Sequence, residues 1–164
     1  MRIVSLASGS SGNAILVDDG VTRILVDCGI GPRTLARHLA AAQVHPSDVS
    51  AIVVTHEHVD HTRGIAQAVA RWQWKVIGSA GTVRGLPSAV RRHAKVVRER
   101  VHVGGLDLEL VPVAHDANEP TAYAIGSRFT GCRAGIAHDL GEPSDKLIAA
   151  FKGVDLLCKI GRDV

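Results

Sequence analysis

Aromatic residues are scarce in this chain: two Trp, one Tyr and two Phe among 164 residues. That scarcity argues against a recognition surface of stacked rings, the platform on which single strands of nucleic acid are commonly held. Cysteine is equally sparse. Cys28, Cys132 and Cys158 are odd in number and widely spaced, with no C-x-x-C pair. Neither a disulfide framework nor a cysteine zinc knuckle follows, and a reducing compartment fits best. No apolar run approaches the roughly 20 residues of a transmembrane helix. Ahead of Ser8-Gly9-Ser10-Ser11-Gly12 stand only Met1-Arg2 and a five-residue, mostly apolar stretch, too short for the apolar core of a secretory signal. The cytoplasm is therefore the expected location, with no membrane partner. Internal repeats and low-complexity tracts are also missing.

What is present describes a globular chain. Apolar residues make up 46% of the sequence, and the length suits one domain over residues 1–164 with a sizeable core. Nineteen basic against sixteen acidic residues leave a formal charge of +3, which permits an anionic substrate without requiring one.

Residues 3–7 read as a strand, broken by the Gly/Ser-rich 8–13 stretch. Residues 14–17 and 24–26 read as a hairpin turning around Asp18-Asp19-Gly20. Gly31-Pro32 opens a helix with Leu35, Leu39 and Ala42 on its buried stripe. The apolar run 51–54 is a buried strand, followed by a helix over about 62–72, a short strand at 75–78 and a short helix over 82–86. Leu106, Leu108 and Leu110 alternate with Asp107 and Glu109, as in a half-buried strand over 106–113. Strands near 123–125 and 133–137, a helix over 144–151 and a strand at 154–157 complete the pattern. The class is mixed α/β, with helices packed on a sheet.

Directly after the 51–54 strand comes Thr55-His56-Glu57-His58-Val59-Asp60-His61. His56, His58, Asp60 and His61 place four potential metal ligands within six residues, and imidazole and carboxylate both suit zinc and its neighbours. Alternation along an extended segment puts His56 and His58 on one side, where they can share an ion. Asp60 falls where a first-turn acid is favoured, and His61 opens the helix. Two histidines for one ion, with an acid and a third histidine for a second, is the economical reading. His115 and Asp139 each follow the end of a strand, as His56 does, and ligands gather at such ends in layered α/β folds. Neighbouring strand residues face opposite ways, so only one of His138 and Asp139 is expected to reach the metal. Asp139 is preferred because a carboxylate can bridge two ions, and His138 is read as packed or solvated.

Five pieces in this order resemble one known family: Ser8-Gly9-Ser10-Ser11-Gly12-Asn13, Ile24-Leu25-Val26-Asp27-Cys28-Gly29, the 55–61 motif, Pro112-Val113-Ala114-His115-Asp116 and Asp139-Leu140-Gly141. The chain resembles the metallo-β-lactamase-fold hydrolases, whose signature is H-x-H-x-D-H with a distant His and a distant Asp, and within them the WalJ/YycJ-type subgroup. The resemblance implies an αββα sandwich, of which this chain holds the first half and the start of the second. It implies two divalent ions, zinc or manganese: His56, His58 and His115 on one, Asp60 and His61 on the other, Asp139 between them. Asp27 resembles the family's buried acid beneath a ligating imidazole, or else caps a turn. Asn13 either approaches the site through the glycine-rich loop or shapes that turn. The family completes its second ion with a further histidine, whereas none follows His138 here, and the tail from Cys158 to Val164 lacks the subgroup's acidic, Asn/His-containing continuation. The expectation is a truncated, frameshifted or fragmentary member, its second metal short of a ligand and residues 154–157 an exposed strand edge.

The implied chemistry is hydrolysis by a metal-bound hydroxide, since a bound Zn²⁺ lowers the pKa of its water from 15.7 to about 7. Asp60 is the expected proton acceptor. Two ions suit phosphodiesters, and the subgroup implies DNA exonuclease-like activity. Arg84, Arg91, Arg92, Lys95, Arg98 and Arg100 either track a phosphate backbone or form a solvated charged face. The rival readings are a small-ester or thiolester hydrolase on the same fold, and an inactive pseudo-enzyme. The oligomeric state is left open.

Overall fold

The structure is a computed structural model and describes residues 1–160. Two sheets face each other. The first holds β1 (Arg2–Ala7), β2 (Ala14–Asp18), β3 (Arg23–Val26), β4 (Val49–Val53), β5 (Lys75–Gly78) and β6 (Ala94–Val96) in that order. β1, β2 and β3 form an antiparallel meander, and β3 through β6 run parallel. The second sheet runs β11 (Leu156–Ile160), β10 (Arg133–His138), β9 (Thr121–Ser127), β8 (Leu106–Pro112) and β7 (Arg100–Val103). Its pairs are antiparallel apart from β10 with β11.

Strand alternation divides the core into layers. Leu16, Leu25 and Ile52 face the helices α1 (Pro32–Ala41) and α3 (Ile65–Trp72), meeting Leu35, Leu39, Ile65 and Ala68. Their neighbours Ile15, Val17, Ile24, Val26, Ala51 and Val53 face the other way, onto Leu106, Leu108, Tyr123, Ile125 and Ile136 of the second sheet. Both faces of the first sheet are thus covered, which is why β2 is buried at all five positions. Each fully buried aliphatic side chain contributes about 1.5–3 kcal/mol. On the outer face of the second sheet, Val111, Ala122 and Ala137 receive Leu147 and Phe151 of α6 (Asp145–Phe151). The order is helix, sheet, sheet, helix, the αββα arrangement that the resemblance implies. The Tyr123 hydroxyl donates to the Val54 carbonyl at 2.8 Å, tying the two sheets together beside the ligand-rich segment.

Three local expectations are corrected. The helix over 62–72 is two pieces, α2 (Val59–Thr62) and α3, parted at Gly64. A Cβ on Gly64 would lie 2.0 Å from the Ile30 carbonyl oxygen, so the chain bends there to seat against the loop after β3. The basic stretch also holds elements not expected from the sequence: α5 (Ser88–Arg91), β6 and β7, following α4 (Ala80–Gly85). The strand expected at 154–157 is β11, shifted to Leu156–Ile160, because Asp155 is engaged at the start of β10: its carboxylate accepts from the Arg133 N–H at 2.8 Å. Among the described residues β11 is the edge of its sheet, with Leu157 65% exposed. The tail residues 161–164 lie outside the described residues. Among those described, no helix is long and apolar enough to cross a membrane.

Candidate metal centre

Four strand ends meet at one end of the sandwich. β3 delivers Asp27, β4 delivers Thr55 and His56, β8 leads to His115, and β10 delivers His138 and Asp139. Backbone bonds lock the loops together: Asn13 N–H donates to Asp60 O at 2.7 Å, Gly29 N–H to Asn13 O at 2.8 Å and Cys28 N–H to His61 O at 2.8 Å. Gly29 permits this approach, since a Cβ there would stand 1.6 Å from the Asp60 carbonyl oxygen.

The side chains then converge. His56, His58 and His115 place one ring nitrogen each within 4.8 Å of one another, and so do His56, His61 and Asp139 with their donor atoms. The His56 ring centroid is 4.6 Å from that of His58, 4.1 Å from His61 and 4.7 Å from His115. His115 Nε2 lies 3.3 Å from His58 Nδ1. Asp139 Oδ2 sits between the two groups, 2.8 Å from His61 Nε2 and 3.7 Å from His56 Nε2. Asp60 Oδ2 is 3.5 Å from His61 Nε2. Asn13 Nδ2 reaches both, at 3.3 Å from Asp60 Oδ2 and 3.1 Å from His61 Nε2.

Beneath this cluster Asp27 sets the orientation of the rings. It is fully buried, and its Oδ1 accepts from the Thr55 N–H at 2.8 Å. Its Oδ2 accepts from the Thr55 hydroxyl (2.8 Å), His61 Nδ1 (2.7 Å) and His138 Nδ1 (2.6 Å). In the neutral ring, His61 Nε2 therefore carries the lone pair, turned toward Asp60 and Asp139. The Thr55 proton is committed to Asp27, so Thr55 Oγ1 accepts from His56 Nδ1 at 3.0 Å, leaving a lone pair on His56 Nε2. That nitrogen is buried without a hydrogen-bond partner among the described residues. A buried polar atom with no partner costs about 1–3 kcal/mol, and a cation held between the rings would satisfy it. The donor set fits a divalent ion.

Burial first, then the neighbouring imidazoles, pushes His56 down to about 4. It is thus neutral at ordinary pH, the form in which a histidine ligates. Burial alone would lower His61, but the Asp27 hydrogen bond and charge, joined by Asp60 and Asp139, raise it. Burial alone would likewise raise the Asp27 carboxyl. The His138 and His61 hydrogen bonds outweigh it and hold Asp27 well below the usual carboxylate range. Burial and the Asp27 charge push the Cys28 thiol up to about 12, so it is inert packing here.

All eight residues expected at the site (His56, His58, Asp60, His61, His115, Asp139, Asp27 and Asn13) lie in this one region. Strict alternation at the end of β10 does not hold. Asp139 has φ 46°, in the left-handed region, so it turns back toward the site although His138 also faces inward. Of the two readings of His138, packed or solvated, the packed one holds, at 3% exposure. Its parity with Ala134 and Ile136, both between the sheets, was the available signal. Thr55, which the sequence does not mark, links Asp27 to His56. The six basic residues are exposed along α4 to β7. Arg100 pairs with Glu109 at 3.0 Å and Arg84 with Glu119 at 3.5 Å. Arg84, Arg98 and Glu119 line a groove of about 570 Å³ together with Val113 and Pro120, which flank the His115 loop in sequence.

Comparison with known proteins agrees with this geometry. The metallo-beta-lactamase superfamily model matches residues 7–128. Exodeoxyribonuclease YycJ of Bacillus anthracis is 28% identical over 156 residues, covering 92% of this chain and 58% of that protein. Exodeoxyribonuclease WalJ of Streptococcus pneumoniae D39 is 30% identical over 127 residues, covering 72% and 47% respectively. The chain thus spans about half the length of these two relatives. Among solved structures, a Cronobacter sakazakii metallo-beta-lactamase with a HARLDQ motif has a TM-score of 0.75 at 17% identity, covering 96% of this chain and 76% of that one. A diphosphatase of the PhnP family has a TM-score of 0.73 at 20% identity, covering 94% and 71%. These two likenesses speak to the fold alone. With its αββα layers, its H-x-H-x-D-H segment and its matching family model, the chain belongs to the metallo-β-lactamase superfamily of metal-dependent hydrolases.

Proposed function

We propose that this site hydrolyses phosphodiesters in DNA, from strand ends, with two divalent ions that are zinc or manganese. The observation that carries the hydrolytic part is the convergence of His56, His58 and His115 around the partnerless, buried Nε2 of His56. The DNA part is supported by two relatives named as exodeoxyribonucleases and by the arginine-lined groove beside the His115 loop.

In this reading His56, His58 and His115 hold the first ion. Asp60 and His61 hold the second, and Asp139 serves both. When bound, the ions supply Lewis acidity, lowering the pKa of water and neutralising charge on a phosphate. The protein's own part is orientation and proton handling. Asp60 Oδ2, steadied by the Asn13 amide at 3.3 Å, receives the proton of the attacking water. Asp27, through His61 Nδ1 directly and through Thr55 to His56, keeps both ring lone pairs turned toward the ions. Arg84 and Arg98 guide the anionic strand, a contact that weakens as salt rises. A cytoplasmic location is part of the proposal, supported by three unpaired cysteines.

The test is end-labelled linear DNA incubated with the purified chain and Mn²⁺ or Zn²⁺. A closed circular DNA and a thioester serve as comparison substrates. Release of nucleotides from linear DNA alone, lost in His56→Ala and Asp60→Asn, is the expected result. A metal-loaded chain that cleaves the thioester and leaves DNA intact would overturn the reading.

A further inference from the structure

Glu57 stands in the chain between His56 and His58 yet turns its side chain away from both, onto the loop that carries His115. Its Oε1 accepts two hydrogen bonds from Asn118, one from the backbone N–H at 2.8 Å and one from Nδ2 at 2.7 Å. The other oxygen, Oε2, is buried with no partner among the described residues. Asn118 is three residues from His115, and a tight bond from Ala117 N–H to His115 O (2.9 Å) leaves little slack between them. Fixing Asn118 therefore fixes the backbone from which the His115 ring projects.

The seat for this contact is built on α4. A Cβ on Gly85 would stand 2.7 Å from Glu57 Cβ and 2.6 Å from Cγ, so only glycine leaves room for the acid's stem. One helical turn earlier, a Cβ on Gly81 would stand 2.3 Å from Asn118 O. The Gly81 N–H donates to Glu119 Oε2 at 2.5 Å. Two glycines four residues apart thus present one bare helix face, on which Glu57 and the 118–119 segment are pressed together.

We infer that Glu57 is a positioning residue that docks the 115–119 loop onto the 56–58 segment, so that His115 meets His56 and His58 around a divalent cation. This rests on the reading of His115 as a ligand. Outer partners that orient ligands are typically worth about 10- to 100-fold in metal affinity, and the long reach of Glu57 links two ligand-bearing segments that are far apart in sequence.

The experiment titrates the full chain with Co²⁺ against a competing chelator, recording the visible d–d spectrum of the parent and of E57A, E57Q, G85A and H115A. Circular dichroism melts of each run alongside. E57A removes the acceptor and is expected to bind Co²⁺ about 10- to 100-fold more weakly, with a spectrum shifted toward that of H115A. E57Q keeps a carbonyl oxygen for both Asn118 donors and is expected to retain the parent's spectrum and affinity, even with a lower melting temperature. G85A leaves every hydrogen-bonding group in place, pushes Glu57 off its seat and is expected to follow E57A, which keeps the test alive if E57A does not fold. Parent-like cobalt binding by E57A or G85A, or an equal loss in E57Q, overturns the clamp while leaving His115 a ligand. Parent-like binding by H115A would instead remove the reading on which the clamp rests.

Discussion

Replacing Asp27 by Asn tests the network under the metal centre with almost no change in volume. Four donors converge on the Asp27 carboxylate: Thr55 N–H, Thr55 Oγ1, His61 Nδ1 and His138 Nδ1, all within 2.6–2.8 Å. An amide offers one acceptor oxygen and one N–H₂ group that only donates. With the oxygen toward the imidazoles, the amide N–H₂ opposes the Thr55 N–H. Turned around, it opposes both rings and the hydroxyl. Either way at least one buried donor is stranded, at about 1–3 kcal/mol, and hydrogen bonds to a charge, worth about 1.5–3 kcal/mol each, become neutral ones. A net loss of about 2–4 kcal/mol is expected from total stabilities of about 5–15 kcal/mol, readable in urea melts of metal-free protein. The second orientation rewards the His61 tautomer with its proton on Nε2, where a ligand needs a lone pair, so zinc affinity should fall about 10- to 100-fold. An Asp27→Asn variant as stable as its parent, and binding zinc as tightly, would refute the assignment of Asp27 as the group that sets the ring tautomers.

Three further outcomes follow from the same structure. Zn²⁺ or Mn²⁺ at about 100 times its Kd should stabilise the fold by about 2.7 kcal/mol, a rise in Tm of roughly 5–10 °C. EDTA should abolish the rise and His56→Ala should lack it; an unchanged melt in the parent would count against the centre. Gly29→Ala, which forces a methyl against the Asp60 carbonyl, should cost about 3 kcal/mol or more and weaken metal binding together with stability; a silent substitution would contradict the close approach. Burial alone would raise Asp18, but the Gly20 N–H and the Arg2 and Arg23 side chains lower it. Its contribution is therefore full above the ordinary carboxylate value of 3.8 and is lost as pH falls through the lower folded value. Asp18→Asn should flatten the acid limb of a stability–pH curve, and an unaltered limb would show that this carboxylate is not responsible.

The strands that carry the proposed ligands were legible because their pattern is local. Leu106, Leu108 and Leu110 alternate in sequence as they do in space, facing the first sheet, and the proposed ligands of the 56–61 segment are near neighbours in the chain. What escaped the sequence depends on contacts across it. Gly64 divides a helix because the Ile30 carbonyl lies against it, and nothing in residues 62–72 announces that neighbour. β6 and β7 are short and carry exposed Lys95, Arg100 and His102, so no apolar period marks them. The expected alternation at His138-Asp139 ended where Asp139 adopts a left-handed φ, a conformation that Asp tolerates better than most residues. The Asp27–Thr55–His56 relay needed the register of β3 against β4, in which Val26 pairs with Val53 and brings the residues beyond them side by side.

The most direct measurement is anomalous diffraction from crystals of the chain soaked in Zn²⁺. A peak about 2.0–2.1 Å from a nitrogen of each of His56, His58 and His115, the usual zinc–imidazole distance, is the result this account predicts. Full occupancy elsewhere on the surface, with no density between those three rings, would contradict it.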